Sequence, residues 1–133
     1  MTASAQWRHG SERGSAVVDF VMILVVLLPM FAALLQLSLV LHVRNTLSSA
    51  AAEGARRAAV MGASPADGHA KASEQIAGTL NERFARDIVV REVAIAGAPA
   101  YEVVIHAEVP ALGLGGPAIA LSASGNAIIE GAP

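Results

Sequence analysis

The run from Ser15 to Val43, SAVVDFVMILVVLLPMFAALLQLSLVLHV, constrains this chain more than any other stretch, because Asp19 is its only residue charged at neutral pH. A helix rises about 1.5 Å per residue, so about 20 apolar residues cover a hydrocarbon layer about 30 Å thick. In lipid the backbone has to satisfy its own hydrogen bonds, which a single run can do only as a helix. The sequence therefore predicts a transmembrane helix at 15–43. A polar leader precedes it at 1–14, a helical stem follows at 44–62, and a small extracytoplasmic domain fills 63–133. Pro29 removes one backbone donor inside the span, a tolerated kink in a membrane helix.

The chain has 133 residues, and the stretch of about 85 beyond the anchor is enough for one small domain. Aromatic residues make up only 4%, so that domain must build its core from Ala, Val, Ile and Leu. A net charge of −2 without a basic run leaves no electrostatic footprint for nucleic acid. Cysteine is absent, which excludes thiolate metal ligands, a cysteine nucleophile and the stabilisation of disulfides.

The leader, MTASAQWRHGSERG, carries Arg8, Glu12 and Arg13 and is expected to be a disordered cytoplasmic tail. Long C-terminal domains translocate despite their charges, so the expected orientation is N-terminus inside, although Arg44, Arg56 and Arg57 flank the far end. Three readings of this region stand side by side. The first is a cleaved secretory signal, for which the apolar stretch is too long although Ser48–Ala52 looks like a cleavage region. The second is a plain signal anchor. The third is processing at the Gly14–Ser15 junction.

Asp19 bears on the choice. An acidic group at a helix centre costs about 2.5–3.5 kcal/mol on insertion scales, and less near the interface. Snorkelling to the headgroups is one relief. The other is pairing: cleavage after Gly14 would free an amine on Ser15, four residues before Asp19 on the same helix face. The two charges could then neutralise each other within one helix or between neighbouring helices.

The pattern Arg13-Gly14-Ser15-Ala16-Val17-Val18-Asp19-Phe20, a long apolar helix, and then Ala51-Ala52-Glu53-Gly54-Ala55-Arg56 resembles the TadE-like pilus assembly proteins, minor pilins or pseudopilins of tight-adherence (Tad, type IVb) pilus systems. The resemblance covers about residues 13–60. It implies a structural protein of the inner membrane, with its N-terminus cytoplasmic and no cofactor. Its implied partners are a prepilin peptidase cutting after Gly14, other pilin and pseudopilin subunits, the inner-membrane pilus assembly platform and the lipid bilayer. It also implies that Asp19, fifth in the mature chain, serves processing or subunit assembly. The family commonly has Glu there; Asp19 keeps the charge and shortens the reach by one methylene.

Beyond the bilayer, Thr46–Val60 (TLSSAAAEGARRAAV) continues with good helix formers, so anchor and stem are expected to form one helix. Glu53 faces Arg56 at i,i+3 and Arg57 at i,i+4. Ala50, Gly54 and Ala58 form a stripe of small residues that suits close packing, either onto this subunit's own domain or onto another subunit. Ser64-Pro65-Ala66-Asp67 starts a second helix, expected to reach about Arg86 with Ile76, Ala77, Leu80 and Phe84 on its apolar face. Ile88–Ile95 and Tyr101–Val109 read as a hairpin across Ala96-Gly97-Ala98-Pro99, and residues 118–130 as a third strand. The expected fold is α+β: a long N-terminal transmembrane helix and stem, a second helix, and a small antiparallel sheet of about three strands.

No catalytic constellation is found. His9, His42, His69 and His106 are scattered, without metal-ligand spacing. Gly113-Leu114-Gly115-Gly116 precedes no helix that would present amides to phosphate. Glu102 and Glu108 share a strand face but lie about 20 Å apart, too far for paired carboxylate chemistry. The chain reads as a peptidase substrate and not as an enzyme. The alternative function is an unprocessed single-pass protein whose outer domain binds a ligand or envelope partner.

Overall fold

The computed structural model describes residues 11–80, 85–111 and 116–131. The leader before residue 11, Phe84 and most of the 113–116 glycine loop lie outside them. Five elements follow in order: α1 (Ser11–Ala59), α2 (Pro65–Thr79), β1 (Ala85–Ile95), β2 (Ala98–Val109) and β3 (Ile119–Ile128). The chain divides into two compact units, Met1–Leu35 and Gln36–Pro133.

Anchor and stem are one helix of 49 residues, α1, with Pro29 inside it. It begins at Ser11, so the end of the leader that was expected to be disordered is helical. Glu and Arg propagate a helix well, and a long apolar run C-terminal to them supplies the nucleus. In the first unit the helix is an arm whose apolar side chains are almost all exposed, Met22 and Val26 at 67% and 69%. By length and composition it is long and apolar enough to cross a membrane.

The second unit has two layers. Its sheet is antiparallel in the order β1-β2-β3, with Ile88, Ile105 and Ala123 in one cross-strand row and Val90, Val103 and Gly125 in the next. The face carrying these residues is covered by α2 and by the C-terminal half of α1. The core is Val43, Leu47, Ala51 and Ala55 from α1, Ala72, Ile76 and Leu80 from α2, and Val103, Ile105, Ala107, Val109 and Ala123 from the sheet. As 4% aromatic content implies, these are all small or aliphatic residues. Alternation along β2 sends Val103, Ile105, Ala107 and Val109 inward, while His106 and Glu108 face out.

Turn chemistry sets the boundaries. Gly62, at φ 80, ends the α1 turn, and the Ala63 N–H donates to the Val60 carbonyl at 3.0 Å. Ser64 caps α2 reciprocally: its hydroxyl accepts from the Asp67 N–H, and its own N–H donates to Asp67 Oδ2 at 2.8 Å. The hairpin loop is shorter than expected. Ala96 and Gly97, with φ of 51 and 84, make a two-residue turn, and Ala98 and Pro99 already belong to β2. The twist of such a turn matches that of the strands it joins.

The second helix ends earlier than its apolar pattern suggested. It stops at Thr79, and Arg86 lies in β1. Gly78 and Thr79 are weak helix formers, and the β-branched run that follows gains more from pairing with β2. The α2 face also differs by one position. Ala77 is exposed, whereas Gly68, Ala72, Ile76 and Leu80 repeat every four residues toward the core.

Candidate functional site: the N-terminal arm and the small-residue strip

Gly14, Ser15 and Asp19 are all exposed on α1. Gly14 sits in open space, with no heavy atom within 4 Å of where a side chain would begin. Helical periodicity puts Ser15 and Asp19 on one face, a turn apart. The surface that follows, through Val17, Phe20, Ile23 and Leu27, is apolar and exposed. From Gly14 onward such an arm has one carboxylate, Asp19, no covering from its own unit, and a surface suited to lipid or to another apolar helix.

The strip Ala51-Ala52-Glu53-Gly54-Ala55-Arg56 is split by the helix into two faces. Ala51 and Ala55 are fully buried in the core. Gly54 is buried where α1 crosses α2, and a Cβ there would meet the Gly68 carbonyl oxygen at 2.8 Å and Ala72 Cβ at 3.0 Å. Ala50 and Ala58 are buried on the same stripe, so this small-residue face packs onto the protein's own domain. Outward, Arg56 Nη2 and Glu53 Oε1 form an exposed ion pair at 2.7 Å. The Asp67 carboxyl is held below the ordinary aspartate value, first by its hydrogen bond with the Ser64 side chain, then by the Ser64 N–H and the Arg57 charge.

The residues that complete this strip were not singled out in the sequence. Gly68 receives Gly54, and Gly125 on β3 lies against the backbone of Ala51 and Ala52. Both had a signal. A glycine inside a helix costs about 1 kcal/mol relative to Ala, and one inside a strand often marks a close backbone approach. The hydrogen bond from Gln36 Nε2 to the Pro110 carbonyl, 3.3 Å, was also missed, since it joins residues far apart in sequence.

Elsewhere, Glu102 pairs with Arg91 across the β1–β2 ladder at 2.7 Å. Among the described residues no group of three His, Asp or Glu is placed to hold a metal.

Residues 14–56 match the family model of TadE-like proteins. The match begins at Gly14, ends at Arg56 and takes in both the arm and the small-residue strip. No curated protein and no solved structure matches the chain. This segment is TadE-like, and with its N-terminal apolar helix it is consistent with Tad pilus assembly and with a single-pass membrane protein. That family generally supplies structural pilus components rather than enzymes.

Proposed function

Starting from residues 14–56 as a TadE-like segment, we propose that the protein is a minor-pilin- or pseudopilin-like structural component of a Tad pilus assembly system. It is cleaved after Gly14 by a prepilin peptidase and is held in the inner membrane by its N-terminal helix, with the outer domain extracytoplasmic. Functionally the chain divides into leader 1–14, span 15–43, stem 44–62 and outer domain 63–133. Its other partners are pilin and pseudopilin subunits and the membrane assembly platform.

One observation carries this reading. Asp19, the only carboxylate of residues 15–43, stands on an uncovered apolar arm one helical turn after the Gly14–Ser15 junction. Cleavage there creates a cation beside a carboxylate that lipid would otherwise leave costly. Pairing in the low-dielectric layer compensates the desolvation of both groups, and between subunits it favours the register in which both are matched.

A secretory signal cut near Ser48–Ala52 fits poorly. It would remove Val43, Leu47 and Ala50, all fully buried in the core.

Intact mass or N-terminal sequencing of membrane-extracted protein, produced with its peptidase, tests the proposal. The expected mature chain begins at Ser15. A chain that keeps Met1 or Thr2 would refute processing and leave an unprocessed single-pass protein with a binding domain. Asp19→Ala is expected to insert in the membrane normally and to impair pilus assembly, with Asp19→Glu restoring it. Full assembly by Asp19→Ala would remove the role given to this carboxylate.

A further inference from the structure

We propose that copies of this chain associate side by side in one membrane, the free edge of β3 in one subunit pairing in parallel with the β1 edge of the next. The sheet order β1-β2-β3 leaves the first and last strands with one neighbour each. They are long, 11 and 10 residues against about 5–6 in most strands, and among the described residues no further backbone group bonds to them. Natural edges are short or guarded by charge, because a bare one is a template for pairing. The β3 edge, Ile119–Ile128, holds no charge and no proline. Large apolar side chains are exposed on both edges, Val89 at 40% and Ile128 at 57%.

Direction selects the occupant. β1 and β3 both run antiparallel to β2, and so parallel to each other. The stem of α1 runs with them: Ala51 and Ala52 lie over Gly125, and the Ala59 carbonyl accepts the Glu130 N–H. Two β3 edges meeting antiparallel would point their stems, and the ends that lead to the anchors, in opposite directions. Copies anchored in one orientation can instead repeat sideways, β3 beside the next β1, with all helices on one face. This rests on α1 being a membrane span and not on cleavage at Gly14. Such a contact is heterologous and leaves an edge open for a further subunit.

Charge and shape fit the same register. With the rows level, Ala123, Gly125 and Ala127 of β3 stand beside Ile88, Val90 and Glu92 of the next copy, small beside large. Glu92 shares the helix-covered face of β1 with Ile88 and Val90, is exposed, and makes no hydrogen bond or ion pair among the described residues. An inward-facing charge on an edge strand blocks pairing unless a cation answers it. Arg56 supplies one. It is exposed one turn beyond Ala52, near the level of Ala127, and its pair with Glu53 occupies one of its five donors. Three strands repeat about every 14 Å, so two helices fit above them only at close spacing. Gly54 and Gly68 make the contact within a subunit close. The outer flanks carry small residues for the other contact, Ser48 and Ala52 on α1 and Ser73 and Ala77 on α2.

The natural absence of cysteine makes the test direct. Full chains carrying Val89→Cys, Ser124→Cys or both are produced in one membrane and oxidised. Within a subunit these positions stand on either side of β2, about 10 Å apart and beyond disulfide reach. The double variant should form a ladder of dimers, trimers and larger species. A mixture of the two single variants should form dimers, and neither alone should link. Adding Arg56→Glu should abolish the ladder, and adding Glu92→Arg to that should restore it. Self-linking by Ser124→Cys alone overturns the proposal, because two β3 edges then meet. A double variant that stays monomeric with native circular dichroism also overturns it, and means that the edge is open or held by a different protein. A ladder unmoved by Arg56→Glu overturns this register. N-terminal sequencing of the mature chain reads the same in every case, so processing and this contact fail separately.

Discussion

Gly125 decides how closely the sheet can approach α1. A Cβ at that position would lie 2.6 Å from the Ala51 carbonyl carbon and from Ala52 Cα, backbone atoms that cannot swing aside. Gly125→Ala should therefore destabilise the domain by about 1–3 kcal/mol, the usual cost of overpacking, seen as a lower thermal midpoint in detergent. Gly78→Ala is the matched control: no atom lies within 4 Å, so it should stabilise by up to about 1 kcal/mol. Equal midpoints for both variants would mean that the sheet does not lie on α1 in this way. Asp67 gives a pH signature. Its folded pKa is depressed by Ser64 and Arg57, so its contribution is present above the ordinary aspartate pKa and is lost as pH falls through the folded value. Acid titration should lower the midpoint of the native chain more than that of Asp67→Asn, which has no proton to take up there. Parallel titration curves would show that this carboxylate is not specially held.

At the scale of elements, α1 is one helix with two physical roles. Leu47 is fully buried and Leu28 is 61% exposed. Leu47→Ala should cost about 2–5 kcal/mol of domain stability through the cavity it leaves. Leu28→Ala should leave domain unfolding unchanged while both proteins still partition with membranes. A Leu47→Ala protein that melts like the native chain would show that the stem stands away from the sheet. Length and apolar content made the helix itself legible, and the start of α2 was readable from Ser64-Pro65-Ala66-Asp67. The C-terminus of α2 was not: Ile76, Leu80 and Phe84 continue an apolar spacing that a local reading extends to Arg86. The competing gain, pairing of the 85–95 segment with β2, is non-local.

For the whole molecule, the compact unit starts at Gln36, well inside the run that hydropathy assigns to the anchor. A fragment 36–133 should fold in mild detergent with the circular dichroism of a mixed helix–sheet domain, whereas 53–133 should not, because it lacks Val43, Leu47, Ala50 and Ala51. A folded 53–133 would mean that α1 is dispensable to the core. The candidate site was legible in the same uneven way. Asp19 was conspicuous because a charge in an apolar run is visible in any window, and the Ala50–Gly54–Ala58 stripe because its spacing is helical. That the stripe is filled by the protein's own α2 and β3 could not be seen before folding.

A lipid-length helix carrying one carboxylate a turn beyond a Gly–Ser junction is settled by the residues alone, since length, hydropathy and i,i+4 spacing are local properties. Which surfaces of that helix stay open and which are covered is a tertiary matter. It depends on Gly54, Gly68 and Gly125 meeting across three elements, and close approach of backbones distant in sequence leaves only isolated glycines as its trace.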